Sequence, residues 1–317
     1  MNTQPTRHPA VASLLGQVDR LRLQHDLYYL SKDPLPFRKA NYILPGHSQH
    51  TLDETDAFIQ ARLQSLGYLV AKEACKAQAF RCDRTKPLHH WYSPPQVADP
   101  WYTLYNLAAK KPGLGKPLEI VLVVSHKDSP SWYDSPGAYD NAVGTIANLE
   151  LARLLREIPS ERSIWFLYCN EEHWPWTSVT FAERAQRRGD NLAAVFNLDS
   201  LGGKDMVASA AGQHTNVTRY STPQGKLLAD LMEWVNQVYA IGLAQTSYAW
   251  DQTGDDDGSF INAGFTAAVM NLGSFPYADP NYHMEGDTPE NVDLENVVKS
   301  TQACLAAVLH AAGVVES

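Results

Sequence analysis

Short apolar runs and longer amphipathic stretches alternate along the second half of the chain. Continuous apolar runs of strand length predict strands that are covered on both faces, as in a parallel sheet. They occupy residues 118–126, 163–172, 193–200 and 266–273. Between and after these runs, apolar residues recur at helical spacing and predict helices. These helices cover residues 144–157, 179–188, 223–239 and 294–312.

The first part of the chain has a weaker pattern. Residues 9–31 predict one helix, and a second helix begins at Thr51 and ends before Gly67. Thr51 and Glu54 have the spacing of a capping box. Residues 68–110 predict two or three strands interrupted by a long loop that is rich in proline and aromatic residues. The sequence does not decide whether this region shapes a pocket or an interface.

The order of these elements predicts an α/β fold with a mostly parallel central sheet flanked by helices. We find no internal repeat, low-complexity tract or linker in the sequence. We therefore expect one domain over residues 1–317, with residues 1–67 as a helical lead-in that packs on it.

The composition is that of a globular protein, since 44% of the residues are hydrophobic and 19% are charged. The formal net charge of −9 argues against nucleic acid or an anionic membrane as the main partner. No apolar run approaches the ~20 residues that span a bilayer, and no basic cluster followed by an apolar segment opens the chain. We expect a cytoplasmic protein, or a secreted one if a leader has been removed. The oligomeric state stays open.

The four cysteines are too few for a disulfide scaffold. Cys75 and Cys82 are compatible with one small disulfide-closed loop and equally with two free thiols. Because no CxxC pair is present, we do not expect a zinc site built from cysteines.

Charged and imidazole side chains stand where three of the predicted strands end. His126 and Asp128 follow the first strand, Glu171 and Glu172 the second, and Asp199 the third. A single aspartate in such a position is usually a turn residue. Ligands of open α/β sheets, however, bind beyond the carboxyl ends of the strands. We therefore expect these side chains to meet at one edge of the sheet.

Two loop residues extend this group: Asp140 follows the first strand and His283 follows the last. Carboxylates packed at one place raise each other's pKa unless a cation compensates them. Two imidazoles with several carboxylates suit zinc better than calcium or magnesium. One ion rarely needs five protein ligands and an open position, whereas two ions that share a bridging carboxylate do.

Five segments resemble, in the same order, the motifs of the M28 family of co-catalytic zinc aminopeptidases: HKDS, GAYDNAVG, NEE, NLDSLG and YHMEGDTPENVD. The segment DDDGSFINAGF also resembles the part of that family before its last strand. The resemblance covers about residues 104–310. It implies the zinc-exopeptidase fold, a phosphorylase/hydrolase-like α/β/α sandwich, and two zinc ions, with manganese or cobalt as substitutes.

The resemblance implies five metal ligands, namely His126, Asp140, Glu172, Asp199 and His283. His126 and Asp199 would hold one ion, and Glu172 and His283 would hold the other. Asp140 would bridge the two ions, and the peptide bond after it is expected to be cis.

The resemblance also implies catalytic residues. Glu171 matches the general base, which accepts a proton from the attacking water and does not ligate the metal. Asp128 matches the acid that orients the imidazole of His126. Tyr282 stands where a tyrosine of some relatives assists the substrate carbonyl, and a packed aromatic ring is the alternative. Asp287 belongs to the turn after the last ligand, where its role is positional rather than chemical.

The sequence departs from the family after Glu172, where bulky residues replace the usual glycines. Trp174 and Trp176 either line the substrate pocket or pack the loop, so no side-chain preference is inherited from relatives. Asp256 either offers its carboxylate to the α-ammonium group of a substrate or belongs to a capped turn. The preferred residue and the natural substrate stay open.

These residues favour a zinc exopeptidase that releases N-terminal residues from peptides. The main alternative is a glutaminyl cyclase, which forms N-terminal pyroglutamate with one zinc ion on the same fold. Tyr282 argues against it, because those enzymes typically have tryptophan there. A non-catalytic binding module is disfavoured, since all five ligand positions and Glu171 are present. No G-x-S-x-G segment supports a serine hydrolase, while a carboxypeptidase or amidohydrolase with the same metal core stays open.

Overall fold

A mixed sheet runs through the middle of the molecule, and helices cover both of its faces. The computed structural model describes residues 6–315, so the predicted domain limits at residues 1 and 317 lie outside the described residues. Within that range the predicted α/β fold is confirmed, with a nine-stranded sheet whose centre is parallel. No helix among these residues is long and apolar enough to cross a membrane.

The strands are β1 (Val70–Ala79), β2 (Arg81–Cys82), β3 (Tyr92–Ser93), β4 (Tyr102–Lys111), β5 (Lys116–His126), β6 (Arg162–Cys169), β7 (His173–Trp174), β8 (Asn191–Leu198), β9 (Thr215–Tyr220), β10 (Ala244–Ala249) and β11 (Ala268–Leu272). The helices are α1 (Pro9–Leu15), α2 (Arg20–Ser31), α3 (Thr51–Ser65), α4 (Val143–Leu155), α5 (Thr177–Arg188), α6 (Met206–Ala210), α7 (Pro223–Val238), α8 (Asp255–Asn262) and α9 (Leu294–Ala312).

The strand order in the sheet is β10-β9-β11-β8-β5-β6-β4-β1-β7. Its centre, β11-β8-β5-β6, is parallel throughout. On one side β4, β1 and β7 continue the sheet with antiparallel pairing. On the other side β9 is antiparallel to β11, and β10 is parallel to β9. The parallel centre therefore brings the carboxyl ends of β5, β6 and β8 to one edge.

The central strand β5 explains why the apolar run in the sequence is continuous. Val121 and Val123 join the larger apolar core together with residues of α2, α4, α7 and α9. Leu122 and Val124 belong to the core on the other face, with residues of α5 and α8. Successive side chains of a strand point to opposite faces, and both faces are covered here.

Two helix predictions were wrong in detail. The helix predicted for residues 9–31 is two helices, because Asp19 interrupts it and its Oδ1 caps α2 by accepting from backbone N–H groups 3.0 and 3.1 Å away. The capping box predicted at Thr51 does not form. His50 is the N-cap instead, and its Nδ1 accepts from the backbone N–H of Asp53 at 3.1 Å.

The four cysteines are free thiols. Of the two alternatives for Cys75 and Cys82, the structure therefore has the unpaired one, with Cys75 buried and Cys82 exposed.

Residues 80–101 leave the sheet between β1 and β4, and we call them the cap segment. Within it β2 and β3 pair antiparallel on either side of a 3₁₀ turn at Leu88–His90. The guanidinium group of Arg81 donates to both carboxylate oxygens of Asp99 at 2.6 and 2.7 Å, which closes the segment at its base. The cap segment is thus an ordered excursion from the sheet.

Candidate metal centre

The predicted polar residues come together at the carboxyl edge of the sheet. They lie at the ends of β5, β6 and β8 and in the loops after β5 and β11. The residues in this group are His126, Asp128, Asp140, Glu171, Glu172, Asp199 and His283, and all of them are buried. The parallel strand order is what makes neighbours of residues that are far apart in the chain.

Asp140 lies between two histidines. Its Oδ1 is 3.1 Å from Nε2 of His126, and its Oδ2 is 3.0 Å from Nε2 of His283. Asp199 Oδ1 is 3.5 Å from Nε2 of His126. Glu172 Oε1 is 3.6 Å from Nε2 of His283. The five residues therefore form two halves that share one carboxylate.

The donor set fits a first-row transition ion, because zinc in proteins takes imidazole nitrogen and carboxylate oxygen. Nε2 of His283 is buried, and none of its contacts with the described residues, including Oδ2 of Asp140 at 3.0 Å, has the geometry of a hydrogen bond. Buried polar atoms rarely lack a partner, so an atom of this kind suits a metal ligand. His126, Asp140 and Glu172 also offer ligand atoms within 4.8 Å of one another.

Burial and neighbouring charges shift the pKa values of the residues in this cluster. Burial and the charge of Asp140 raise the pKa of Glu172 to about 7. Burial lowers the pKa of His283, but contacts with Asp140 and Glu172 outweigh it and raise the value to about 10. Burial also acts to raise the pKa of Asp140, yet contacts of its carboxylate with the imidazoles of His126 and His283 hold the pKa below its ordinary value. The cluster therefore retains protons that a bound cation would displace.

Asp128 holds several of these residues in place. Its Oδ1 accepts from Nδ1 of His126 at 3.3 Å and from the backbone N–H of Glu171 at 3.0 Å. Its Oδ2 accepts from the backbone N–H of Glu172 at 2.8 Å and from Nδ1 of His173 at 2.8 Å. Because Nδ1 of His126 donates to Asp128, its Nε2 is left to face Asp140 and Asp199.

His173 is a supporting residue that the sequence did not reveal. It is fully buried behind Asp128. Its Nε2 accepts from the backbone N–H of Ala40 at 3.1 Å, while its Nδ1 donates to Asp128 at 2.8 Å. Both ring nitrogens are therefore used, and the imidazole joins the strand ends to the chain before α3. Its only signal in the sequence is its position directly after Glu172.

Glu171 is placed differently from the ligands. It lines the cleft beside the centre, and its Oε2 is buried without a hydrogen-bond partner. Burial and then the negative charges of Asp256 and Asp255 raise the pKa of Glu171 well above its ordinary value. A nearby dication acts in the opposite direction. A cation bound beside Glu171 would favour its carboxylate form, whose Oε2 has no hydrogen-bond partner among the described residues.

Two buried residues fix the loop that carries Asp140. Asp287 accepts from the backbone N–H groups of Tyr139 at 2.6 Å and of Asp140 at 3.1 Å, in keeping with a positional role. Arg38 donates to two backbone carbonyls just before this loop at 2.6 and 2.8 Å. Burial raises the pKa of Asp287 to about 8. The peptide bond between Asp140 and Asn141 is cis.

A cleft of about 370 Å³ opens onto the centre. Its walls are mainly aromatic and come from Phe80, Tyr92, Trp132, Trp176 and Tyr282. Its polar lining consists of Glu171, Glu172, Asp255 and His283. Apolar walls with a few convergent polar groups are typical of sites that bind small ligands or single side chains.

The two tryptophans of the predicted substrate pocket differ in position. Trp176 lines the cleft. Trp174 is 46% exposed and contacts the cleft wall through Phe80, with ring centroids 6.2 Å apart. Tyr282 both packs and faces the cleft, since its ring stacks on Tyr277 at 4.4 Å and on His283 at 3.8 Å.

The acidic run at the start of α8 contributes to the cleft through Asp255 rather than Asp256. Asp256 is fully buried, and its Oδ2 accepts from Sγ of Cys169 at 3.0 Å. Asp255 lines the cleft, and its Oδ2 is 2.5 Å from Nη1 of Arg219. The sequence indicated the segment that reaches the cleft, but which of its side chains faces the cleft depends on where α8 begins.

Comparison with known proteins gives one family. The family model of peptidase family M28 matches residues 106–308, which is more than half of the chain. A probable aminopeptidase of Saccharomyces cerevisiae is 25% identical over 219 residues, covering 65% of this chain and 56% of that protein. The chain spans about half the length of the curated relatives it matches.

Solved structures share the fold over nearly the whole chain. The LapA aminopeptidase of Legionella pneumophila superposes with a TM-score of 0.73 at 16% identity, covering 100% of this chain and 78% of that one. The glutaminyl cyclase of Fimbriiglobus ruber superposes with a TM-score of 0.68 at 16% identity, covering 97% and 98%. At these identities the likeness concerns the fold, and it does not separate the two kinds of enzyme.

Proposed function

This chain belongs to peptidase family M28, and on that basis we propose that it is a zinc-dependent aminopeptidase that releases N-terminal residues from peptides. The observation that carries the proposal is the position of Asp140, whose two carboxylate oxygens are divided between His126 and His283. A carboxylate shared by two imidazole-bearing halves suits a pair of ions. The unpartnered Oε2 of Glu171 beside them suits a general base.

In this proposal the metal ligands act in two halves. His126 and Asp199 would hold one zinc ion, Glu172 and His283 would hold the other, and Asp140 would serve both. Manganese or cobalt would substitute in the same donor set. When bound, the two ions polarise the carbonyl of the scissile peptide bond and lower the pKa of the attacking water.

The remaining steps belong to the side chains of the cleft. Glu171 accepts a proton from the attacking water at Oε2 and then delivers it to the amine that leaves. Asp128 fixes the backbone of Glu171 and Glu172, so that base and ligand keep a constant separation. Tyr282 supplies a hydroxyl that donates to the substrate carbonyl, where negative charge develops.

The cleft suggests how the substrate is held. Trp176 and the other aromatic walls surround the side chain of the N-terminal residue, and Trp174 supports Phe80 from outside. Asp256 is enclosed, so we assign the pairing with the substrate α-ammonium group to Asp255, which reaches the cleft.

A glutaminyl cyclase with one ion is the second candidate. His126, Asp140 and Glu172 offer a compact group for a single ion, and cyclases share the fold. A one-ion site would leave Nε2 of His283 buried without a partner, unless Glu172 and His283 are themselves the ligands of that ion. The number of ions and the product therefore separate the candidates.

The test uses the purified chain with four substrates. These are amino-acid p-nitroanilides, an unblocked peptide, the same peptide with an acetylated N-terminus, and a peptide that begins with glutamine. We expect release of the N-terminal residue from the unblocked peptide and none from the acetylated one. A strong chelator should abolish turnover, and zinc, manganese or cobalt should restore it.

Three outcomes contradict the proposal. Undiminished hydrolysis by metal-free protein would exclude the metal-dependent mechanism. Conversion of N-terminal glutamine to pyroglutamate without peptide cleavage would support the cyclase. Release of C-terminal residues would indicate a carboxypeptidase.

A further inference from the structure

The cap segment lies before the part of the chain that matches family M28, yet it contacts the candidate metal centre. His283 donates from Nδ1 to the backbone carbonyl of His89 at 2.7 Å. His89 in turn donates from its own Nδ1 to the backbone carbonyl of Tyr282 at 2.5 Å. Residue 89 therefore accepts a hydrogen bond from His283 through its backbone and donates one to the backbone of Tyr282 through its side chain.

The first hydrogen bond sets the tautomer of His283. A carbonyl oxygen only accepts, so Nδ1 of His283 must carry the proton. In the neutral ring of a metal ligand, Nε2 then keeps its lone pair for an ion, beside the carboxylates of Asp140 and Glu172 at 3.0 and 3.6 Å. A hydrogen bond of this kind on the far nitrogen of a ligand imidazole orients the ring towards a metal ion.

The second hydrogen bond holds the backbone. His283 has a φ of +59°, in the left-handed region that a residue with a β-carbon seldom adopts. Such a conformation persists only where the surroundings hold it. The imidazole of His89 binds the carbonyl of the peptide group that leads directly into His283.

Aromatic rings enclose the His283 imidazole on several sides. Trp132 meets it edge to face at 4.9 Å, and Tyr92 of the cap segment does so at 6.0 Å. Tyr282 stacks on it at 3.8 Å. The ring therefore has little freedom once the cap segment is in place.

The cap segment is itself anchored to the rest of the fold. The backbone N–H of Phe80 donates to the hydroxyl of Ser131 at 2.9 Å. Two further contacts hold the segment together internally: Nζ of Lys86 donates to the carbonyl of Tyr92 at 2.7 Å, and Arg81 pairs with Asp99 at the base. A segment held at these points can fix a residue of the metal centre as well as form a cleft wall.

We propose that His89 is a positioning residue of the metal centre. Its backbone carbonyl sets the tautomer of His283, and its imidazole, which the variants below remove or replace, holds the backbone conformation that presents Nε2 to an ion. The half of the centre formed by Glu172 and His283 therefore depends on a segment outside the family match. This inference rests on the metal centre of the proposed function.

The test compares His89→Ala, His89→Asn and the control His90→Ala with the parent. His90 is the neighbouring histidine, is exposed and is not assigned to the centre. Each protein is stripped with a chelator and titrated with zinc and with cobalt, whose visible spectrum reports its coordination. The unfolding midpoint of each metal-free protein is measured in parallel.

We expect His89→Ala to keep the affinity of one ion and to weaken the other by about 10–100-fold. The cobalt spectrum of the weakened ion should change as well. His90→Ala should match the parent. His89→Asn should recover most of the lost affinity, because its side-chain amide can donate to the carbonyl of Tyr282 in place of the imidazole.

The inference is overturned if His89→Ala binds both ions like the parent and changes only the KM of the peptidase. The cap segment would then line the cleft without positioning a metal ligand. Equal weakening of both ions together with a lower unfolding midpoint would also overturn it. So would a failure of His89→Asn to recover affinity. A parent protein that binds no metal would instead overturn the proposed function itself.

Discussion

Asp128 fixes several parts of the proposed centre at once, because its carboxylate accepts from two imidazoles and two backbone N–H groups. Burial acts to raise its pKa, but the hydrogen bonds from His126 and His173 outweigh burial and hold the pKa well below its ordinary value. The residue therefore stays ionised in the centre, whereas burial raises the pKa of Glu171 and Glu172 above their ordinary values.

Replacing Asp128 by asparagine tests this role. The amide keeps the shape but turns an NH₂ group towards N–H donors, so at least one hydrogen bond is lost. We expect metal affinity to fall by about 10–100-fold and the free energy of unfolding to fall by about 1–3 kcal/mol. Competition with a chromogenic chelator and urea unfolding measure the two effects. Asp230→Asn, on the exposed face of α7, is the matched control, and equal behaviour of the two variants would refute the role of Asp128.

Glu171→Gln separates proton transfer from metal binding. Glutamine has nearly the same size and does not disturb the proposed ligands, so both ions should remain. Turnover should fall by about 10²–10⁴-fold, because the base that receives the proton is gone. Metal analysis and peptide hydrolysis are measured on the same sample, with Glu183→Gln on α5 as the control. Turnover at the parent rate would show that another group is the base.

The sequence predicted the residues of the centre better than the residues that support them. His126, Asp140 and Glu172 carry ligand chemistry and follow apolar runs, so their types and positions gave a signal. His173 has no such signal, because its role depends on the backbone N–H of Ala40, 133 positions away. Contacts to backbone atoms leave no pattern in the side chains that a single sequence displays.

At the scale of elements, burial decides which parts of the fold the sequence reveals. The strands β5, β6, β8 and β11 are covered on both faces, so each appears as an apolar run. The edge strand β10 was not predicted, because nearly all of its side chains are exposed and it has no apolar run. The break between α1 and α2 was missed because the apolar pattern continues across it.

A buried ion pair joins α3 to the central strands. Nζ of Lys127, directly after β5, is 3.0 Å from Oδ1 of Asp56 in α3 and donates to Oδ1 of Asn170 after β6 at 2.6 Å. Both charged side chains are almost fully enclosed. Removing Lys127 would leave the enclosed carboxylate of Asp56 with the weaker compensation of Lys72, whose side chain is partly exposed and whose Nζ lies 3.7 Å from Oδ2.

Lys127→Met should therefore lower the free energy of unfolding by about 3–5 kcal/mol. The exposed pair of Lys226 and Asp230 on α7 provides the control, and Lys226→Met should cost less than about 1 kcal/mol. Urea unfolding of the metal-free proteins compares the two variants. Similar losses for both would show that burial of the Lys127 pair does not matter to stability.

In the whole molecule, the parallel centre of the sheet brings residues that are far apart in the sequence together at one site. The ends of β5, β6 and β8 bring together His126, Glu172 and Asp199, and the loops after β5 and β11 add Asp140 and His283. This general arrangement follows from alternating strands and helices, and the sequence therefore predicted it. The contact of the cap segment with His283 does not follow from that alternation, since it requires the detailed path of residues 80–101.

Two ions that share Asp140 are the basis of the proposed function, and counting the bound metal tests this arrangement. Parent, Asp199→Asn and Asp140→Asn proteins are saturated with zinc, freed of excess metal by gel filtration, and analysed by mass spectrometry for zinc per chain. This arrangement predicts two ions in the parent, one in Asp199→Asn, and weakened binding of both ions in Asp140→Asn. One ion in the parent, with no loss on replacing Asp199, would contradict it.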